Sequence, residues 1–362
     1  MKNIKDILNK TELSFNDIVA LLSAVDNDRT LLFEKSAQVK RAEVSDFVYY
    51  RGLIEMSNIC RKNCFYCGIR NDNKKVIPYT LTDDEIIDAV QFALESDYGS
   101  IVLQSGENIS ESFIKRIDLL IKKIHQMAGS DFGITLSLGE QNKETYQRWL
   151  DSGAHRYLLR IESSDAELYK KLHPNNSLHS FNQRLQCLQW LKETGYQVGT
   201  GIMVGLPFQT LDHLAKDILF IKDIDADMIG LGPYVEHSDT PLFAYKDLLM
   251  PASERFDLCL KVTAILRIVM KDINIAAATA LQAIDKMGRE KSIMIGANVI
   301  MPNITPVKYR SHYNLYEGKP CITDSPDDCS NCLEARIAIT GNKIGYGVRG
   351  DSVHYLKRKK EI

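Results

Sequence analysis

The chain has 362 residues, 44% of them hydrophobic and 25% charged, a balance that excludes collagen-like, disordered and coiled-coil classes. Lys+Arg 45 against Asp+Glu 47 leaves a net charge of -2, so nothing draws the whole chain to nucleic acid or to an anionic membrane surface. No apolar stretch approaches the roughly 20 residues of a membrane span, and polar residues follow Met1-Lys2-Asn3 where a secretory signal would carry an apolar core.

Residues 1–48 predict a helical N-terminal extension. Strand character then recurs at 53–57, 100–104, 133–138, 156–161, 197–204, 228–232, 274–278 and 297–301. Amphipathic helices fall between these runs. Thr82-x-x-Glu85 reads as a capping box before Ile86, Ile87, Val90, Ala93 and Leu94. Phe113 to Ile124 repeats the helical spacing, Thr210 predicts another N-cap, and 254–268 predicts a further long helix. Eight strand–helix alternations predict a (β/α)8 TIM barrel over 49–302, with an open doubly wound sheet as the alternative. Residues 303–362 then form a C-terminal extension that ends in a solvated basic run, Lys357 to Lys360. In such a barrel the loops after the strands carry the site.

Six of the eight cysteines fall into two tight groups, Cys60/Cys64/Cys67 and Cys321/Cys329/Cys332. Without an export signal, clustered thiols predict metal ligands in a reducing cytoplasm. Cys187 and Cys259 sit alone on helical faces and read as buried apolar residues. The x3 and x2 spacing of Cys60-Arg-Lys-Asn-Cys64-Phe-Tyr-Cys67 suits three corners of an iron–sulfur cube whose fourth iron has no protein ligand. A structural zinc knot would want a fourth ligand, and this loop holds no further Cys or His.

This loop, with Tyr66 before the third cysteine, resembles the signature of the radical S-adenosylmethionine (SAM) enzymes. The resemblance implies a 4Fe-4S cluster on Cys60, Cys64 and Cys67, SAM chelated to the open iron, and a one-electron reductant that triggers release of a 5′-deoxyadenosyl radical. It also implies cofactor-binding roles for Tyr66, for Gln104, Gly106 and Glu107 in the turn after the second strand, and for Ser137, Glu162, Met203 and Arg184. Longer matches narrow the similarity. They include 54–73, 101–107, 135–140, 156–160, 205–207, 237–242 and 296–303, and they resemble the HydE maturases of FeFe-hydrogenase. That resemblance implies a cysteine-bound iron carbonyl–cyanide substrate and work alongside the maturases HydG and HydF. It also implies a possible second iron–sulfur cluster at Cys321, Cys329 and Cys332.

The resemblance implies an anion-binding cavity inside the barrel, and Arg156 and Arg160, which alternate onto one face of the fourth strand, are expected to point together into it. Thr279 and Tyr313 are expected to complete its wall, and Tyr316 to pack with its hydroxyl toward water. Three positions depart from the family pattern, which tends to have His at Ile161, Thr at Ala278 and Gly at Phe208. Two other readings stand beside this one: a methylornithine synthase-like mutase, and a non-catalytic iron–sulfur scaffold.

Overall fold

A computed structural model describes residues 3–323 and 326–360, and side chains throughout these except at 326–332. Strands β1 (Phe47–Tyr50) and β2 (Gly52–Ser57) are two halves of one strand, broken at Arg51. There follow β3 (Ser100–Ser105), β4 (Gly133–Ser137), β5 (Arg156–Leu158), β6 (Gln197–Thr200), β7 (Met203–Val204), β8 (Met228–Pro233), β9 (Asn274–Ala277), β10 (Val299–Ile300) and β11 (Lys343–Ile344). All pairings are parallel and run β2-β3-β4-β5-β6-β8-β9-β10-β1, with β7 beside β8. The broken first strand closes the ring. Tyr49 and Tyr50 pair with Val299 and Ile300, and the Leu53 N–H donates to the Pro302 carbonyl at 2.7 Å. This is the expected α/β barrel, with helices on its outside.

The capping signals position those helices. Thr82 accepts from the Glu85 amide while the Glu85 carboxylate accepts from Thr82 N–H at 2.9 Å, opening helix Asp83–Glu95. Thr210 caps helix Leu211–Asp223, with His213 rather than a carboxylate as its reciprocal partner. The N-terminal segment forms helices Ile4–Leu8, Phe15–Leu22 and Asp26–Glu43, which cover helix Ala252–Val269. Buried between this layer and the barrel, that helix hides even Arg267, whose guanidinium donates to the Gly296 carbonyl at 3.0 Å.

Two expected strands are interrupted. β5 stops at Leu158, because the Thr200 hydroxyl takes over the ladder by accepting from Ile161 N–H at 3.2 Å and donating to the Leu159 carbonyl at 3.0 Å. The next strand splits at Gly201–Ile202, where a Cβ on Gly201 would lie 1.9 Å from the Gly230 carbonyl oxygen. Both breaks lie at the upper end of the barrel, where Arg160 and Glu162 follow β5 and Met203 opens the short β7.

The C-terminal segment does more than extend the chain. Its β11 joins the sheet beside β1, and Arg349–Ser352 crosses the lower end of the barrel. There the Gly350 carbonyl accepts from Arg51 at 3.0 Å and Asn274 at 2.9 Å, and Asp351 accepts from Arg156 at 2.9 Å and Gln197 at 2.8 Å. No helix among the described residues is long and apolar enough to cross a membrane.

Candidate active site

The Cys60–Cys67 loop leaves the top of β2 and is fastened along its length by backbone bonds. Arg61 N–H donates to the Glu107 carbonyl at 3.0 Å, Phe65 N–H to Leu172 at 2.9 Å, and Gly68 N–H to Leu315 at 2.9 Å. The Cys60 sulfur accepts from the amides of Lys62 (3.4 Å) and Glu107 (3.3 Å). Such amides suit a thiolate better than a thiol. Burial nevertheless dominates, raising the Cys60 and Cys67 thiols and pushing Cys64 up to about 12. An electropositive cluster is the natural means of deprotonating them. The three sulfurs feel one another's charge, so they converge on one locality. Yet no three His, Cys, Asp or Glu groups among the described residues are arranged for a single ion. A cube, which gives each thiolate its own iron, fits this donor set better than one zinc.

Gly106 is a close-approach position. A Cβ there would sit 2.3 Å from the Ile59 carbonyl oxygen and 2.8 Å from the Cys60 Cβ. The neighbouring Glu107 carboxylate accepts from Glu140 N–H at 2.8 Å, and Gly139 at φ +78° leaves it room. Glu140 is a site residue that the sequence reading did not single out. It joins Lys62 (2.8 Å) to Arg184 (2.5 Å), and these two cations outweigh burial and hold its carboxyl below the usual range. Arg184 also donates to the Arg160 carbonyl. The loop, the Glu107 turn and the Arg160 segment are thus tied through one buried ion network.

Beside it lies a cavity of about 260 Å³, lined by Tyr66, Cys67, Gln104, Ser137, Arg160, Glu162, Met203 and Thr279 from six different loops or strand ends. Gly106, Glu107 and Arg184 stand behind this lining. The Tyr66 hydroxyl lies 3.3 Å from His173 Nε2, and burial holds His173 down to about 3. With Nδ1 spent on the Tyr169 carbonyl at 2.9 Å, neutral His173 accepts from Tyr66 and fixes its ring. Glu162 adopts φ +66°, a left-handed backbone rare for a branched or long side chain, and receives Arg160 at 2.9 Å.

Arg156 is not in this cavity. It is fully buried at the lower end of the barrel, where Asp351 meets its charge. Strand alternation does not carry as far as Arg160, because β5 ends at Leu158 and Arg160 stands beyond it at the upper end. The two tyrosines also depart from the places expected of them. Tyr316 lines the cavity, whereas Tyr313 lies behind it and accepts from Gln104 Nε2 at 3.2 Å. Glu55 and Lys319, missed at the sequence level, pair in the cavity wall at 2.6 Å. A lone carboxylate in the fully buried strand Gly52–Ser57 was the available signal. Phe208, where the family tends to have Gly, has φ +68°. Cys321 lines the cavity, while Cys329 and Cys332 fall in helix Pro326–Ile339 at positions whose side chains are outside those described.

The Radical SAM superfamily profile matches residues 54–221. The chain is 43% identical over 348 residues to the [FeFe] hydrogenase maturase subunit HydE of Thermotoga maritima, covering 94% of this chain and 95% of that protein. The chain belongs to the radical SAM superfamily, in the HydE family. It is also 27% identical to a 3-methylornithine synthase of Methanosarcina acetivorans, over 81% of this chain and 80% of the relative. The crystal structure of methylornithine synthase PylB superposes with a TM-score of 0.78 at 21% identity, covering 95% of this chain and 97% of that one, a likeness of fold. The chain is therefore a radical SAM enzyme, and membership implies a 4Fe-4S cluster and SAM, which the three-thiolate loop fits.

Proposed function

We propose that this enzyme works in FeFe-hydrogenase maturation in the cytoplasm, on a cysteine-bound iron carbonyl–cyanide unit supplied by HydG, with HydF as a further partner. Identity of 43% across nearly the whole of a HydE carries the proposal. Cys60, Cys64 and Cys67 would hold the cluster. Gln104, Gly106, Glu107, Ser137, Glu162, Arg184, Met203 and Tyr66 would hold SAM. When bound, cluster and SAM supply a 5′-deoxyadenosyl radical under one-electron reduction. The chain's own part is placement. Arg160, Thr279, Tyr316 and Tyr313, the last through Gln104, would hold the substrate sulfur facing the adenosyl carbon, where S–C bond formation would pass the unpaired electron to the substrate's own iron. A narrow cavity about 260 Å³ in volume keeps water and competing hydrogen donors away. Arg156 takes no part in this placement. A second cluster at Cys321, Cys329 and Cys332 belongs to the same reading, and iron content above four per chain would mark it.

The test is anaerobic reconstitution with dithionite, SAM and the cysteine–iron synthon. The expected trace is an adenosyl–cysteine adduct. Production of 5′-deoxyadenosine without that adduct would leave the radical enzyme and remove the substrate. Conversion of lysine to methylornithine would favour the mutase instead.

A further inference from the structure

Three cations and two carboxylates line the cavity: Arg160, Arg289 and Lys319 against Glu55 and Glu162. Arg160 is paired with Glu162 at 2.9 Å, and Lys319 with Glu55 at 2.6 Å. Among the described residues Arg289 has neither an ion pair nor a hydrogen bond, although it is 4% exposed and its Nε is buried without a partner. Its neighbour Glu290 does not serve it, because that carboxylate is held by Arg336 at 2.5 Å. Helix Gly288–Ile295 fixes the position. Gly288 is pressed against the Leu281 carbonyl, where a Cβ would lie 2.3 Å away, so Arg289 cannot swing out with a loosened turn. An unneutralised guanidinium buried in a cavity wall is costly unless an anion arrives to meet it.

We propose that Arg289 is the docking point for the carboxylate of an amino-acid-bearing substrate. The proposal rests on the substrate class inferred above and adds its orientation. A guanidinium offers a fork of parallel N–H donors that matches a carboxylate, so it fixes direction as well as charge. Arg160, already neutralised by Glu162, does not compete for that role. Arg289 follows β9, whereas the cysteine loop follows β2. A substrate held by its carboxylate at Arg289 therefore leaves its sulfur end for the side nearer SAM.

The test uses the cluster-loaded full chain with saturating SAM, titrated calorimetrically with S-methyl-L-cysteine and with its decarboxylated analogue 2-(methylthio)ethylamine. The native chain should bind the amino acid and not the amine. Arg289→Gln should weaken that binding about tenfold or more, and Arg289→Lys should recover part of it. In turnover, KM for the synthon should rise by a similar factor in Arg289→Gln, with the SAM affinity and the substrate-free rate of SAM cleavage unchanged. Should Arg289→Gln fail to fold, Arg289→Lys carries the comparison. Equal binding of amino acid and amine by the native chain, equal binding by native and variants, or a loss confined to SAM affinity would each overturn the proposal. If the native chain does not process the synthon yet still binds S-methyl-L-cysteine through Arg289, the substrate reading fails and this one stands.

Discussion

Arg156, in β5, and Arg160, two residues past its end, meet opposite fates. At the lower end Arg156 is fully buried, tied to Thr135 at 3.0 Å, the Arg349 carbonyl at 2.9 Å and Asp351 at 2.9 Å. At the upper end Arg160 is about one-third exposed in a cavity and shares Glu162 with a strained backbone. The lower end is a closed polar lock built by a tail some two hundred residues away. The upper end keeps open space and marginal satisfaction for ligands. One barrel therefore closes the same residue type into its floor at one end and leaves it lining an open cavity at the other.

That contrast can be broken from either end. Cys64→Ala should have the largest effect, removing the cluster's visible absorption and reducing 5′-deoxyadenosine formation to background while leaving the melting of the metal-free chain little changed. Asp351→Ala should do the reverse. It strands Arg156 in the barrel floor, which should cost about 3–5 kcal/mol in urea unfolding, while SAM cleavage per cluster stays as in the native chain. If Asp351→Ala instead impaired catalysis in fully folded protein, the division between the ends would be wrong.

Gly106→Ala is a sharper probe of the upper end. The added methyl would push on the Ile59 carbonyl from 2.3 Å and shift Cys60. A displacement near 1 Å at a reacting centre lowers rates by about 100-fold, so cleavage should fall by that order, at a stability cost of only about 1–3 kcal/mol.

The smallest effect belongs to the tail. His354 lies between Asp225 at 2.6 Å and Asp272 at 3.0 Å, and its hydrogen bond to Asp272, stronger than the opposing effect of burial, raises it to about 9. A raised value means the clamp contributes fully below the unfolded-state value of about 6.5 and is lost as pH rises through about 9. His354→Gln should thus cost about 1–2 kcal/mol at pH 6 and almost nothing at pH 10.

The sequence carried the barrel well because alternation and capping are local. The eight strand positions, the Thr82 box and the cysteine loop all depend on residues within a few positions of one another. What it hid was distance in the chain. Nothing near Arg156 announces Asp351, and nothing near Lys62 announces Glu140. The break of β5 depends on the Thr200 hydroxyl of another strand. Arg289 was invisible for a related reason: Gly288-Arg289-Glu290 reads as an exposed charged turn until Arg336 is seen to occupy Glu290. The placing of Tyr313 and Tyr316 follows from a loop geometry that periodicity does not encode.

Cys60, Cys64 and Cys67 would leave one iron open, and SAM would occupy it. Electron–nuclear double resonance of the reduced protein with SAM labelled with 15N at the amine and 17O at the carboxylate measures it directly. The account expects hyperfine coupling from both labels, present in the native chain and absent from Cys64→Ala. A fully assembled, reduced cluster showing no coupling to either label would contradict it.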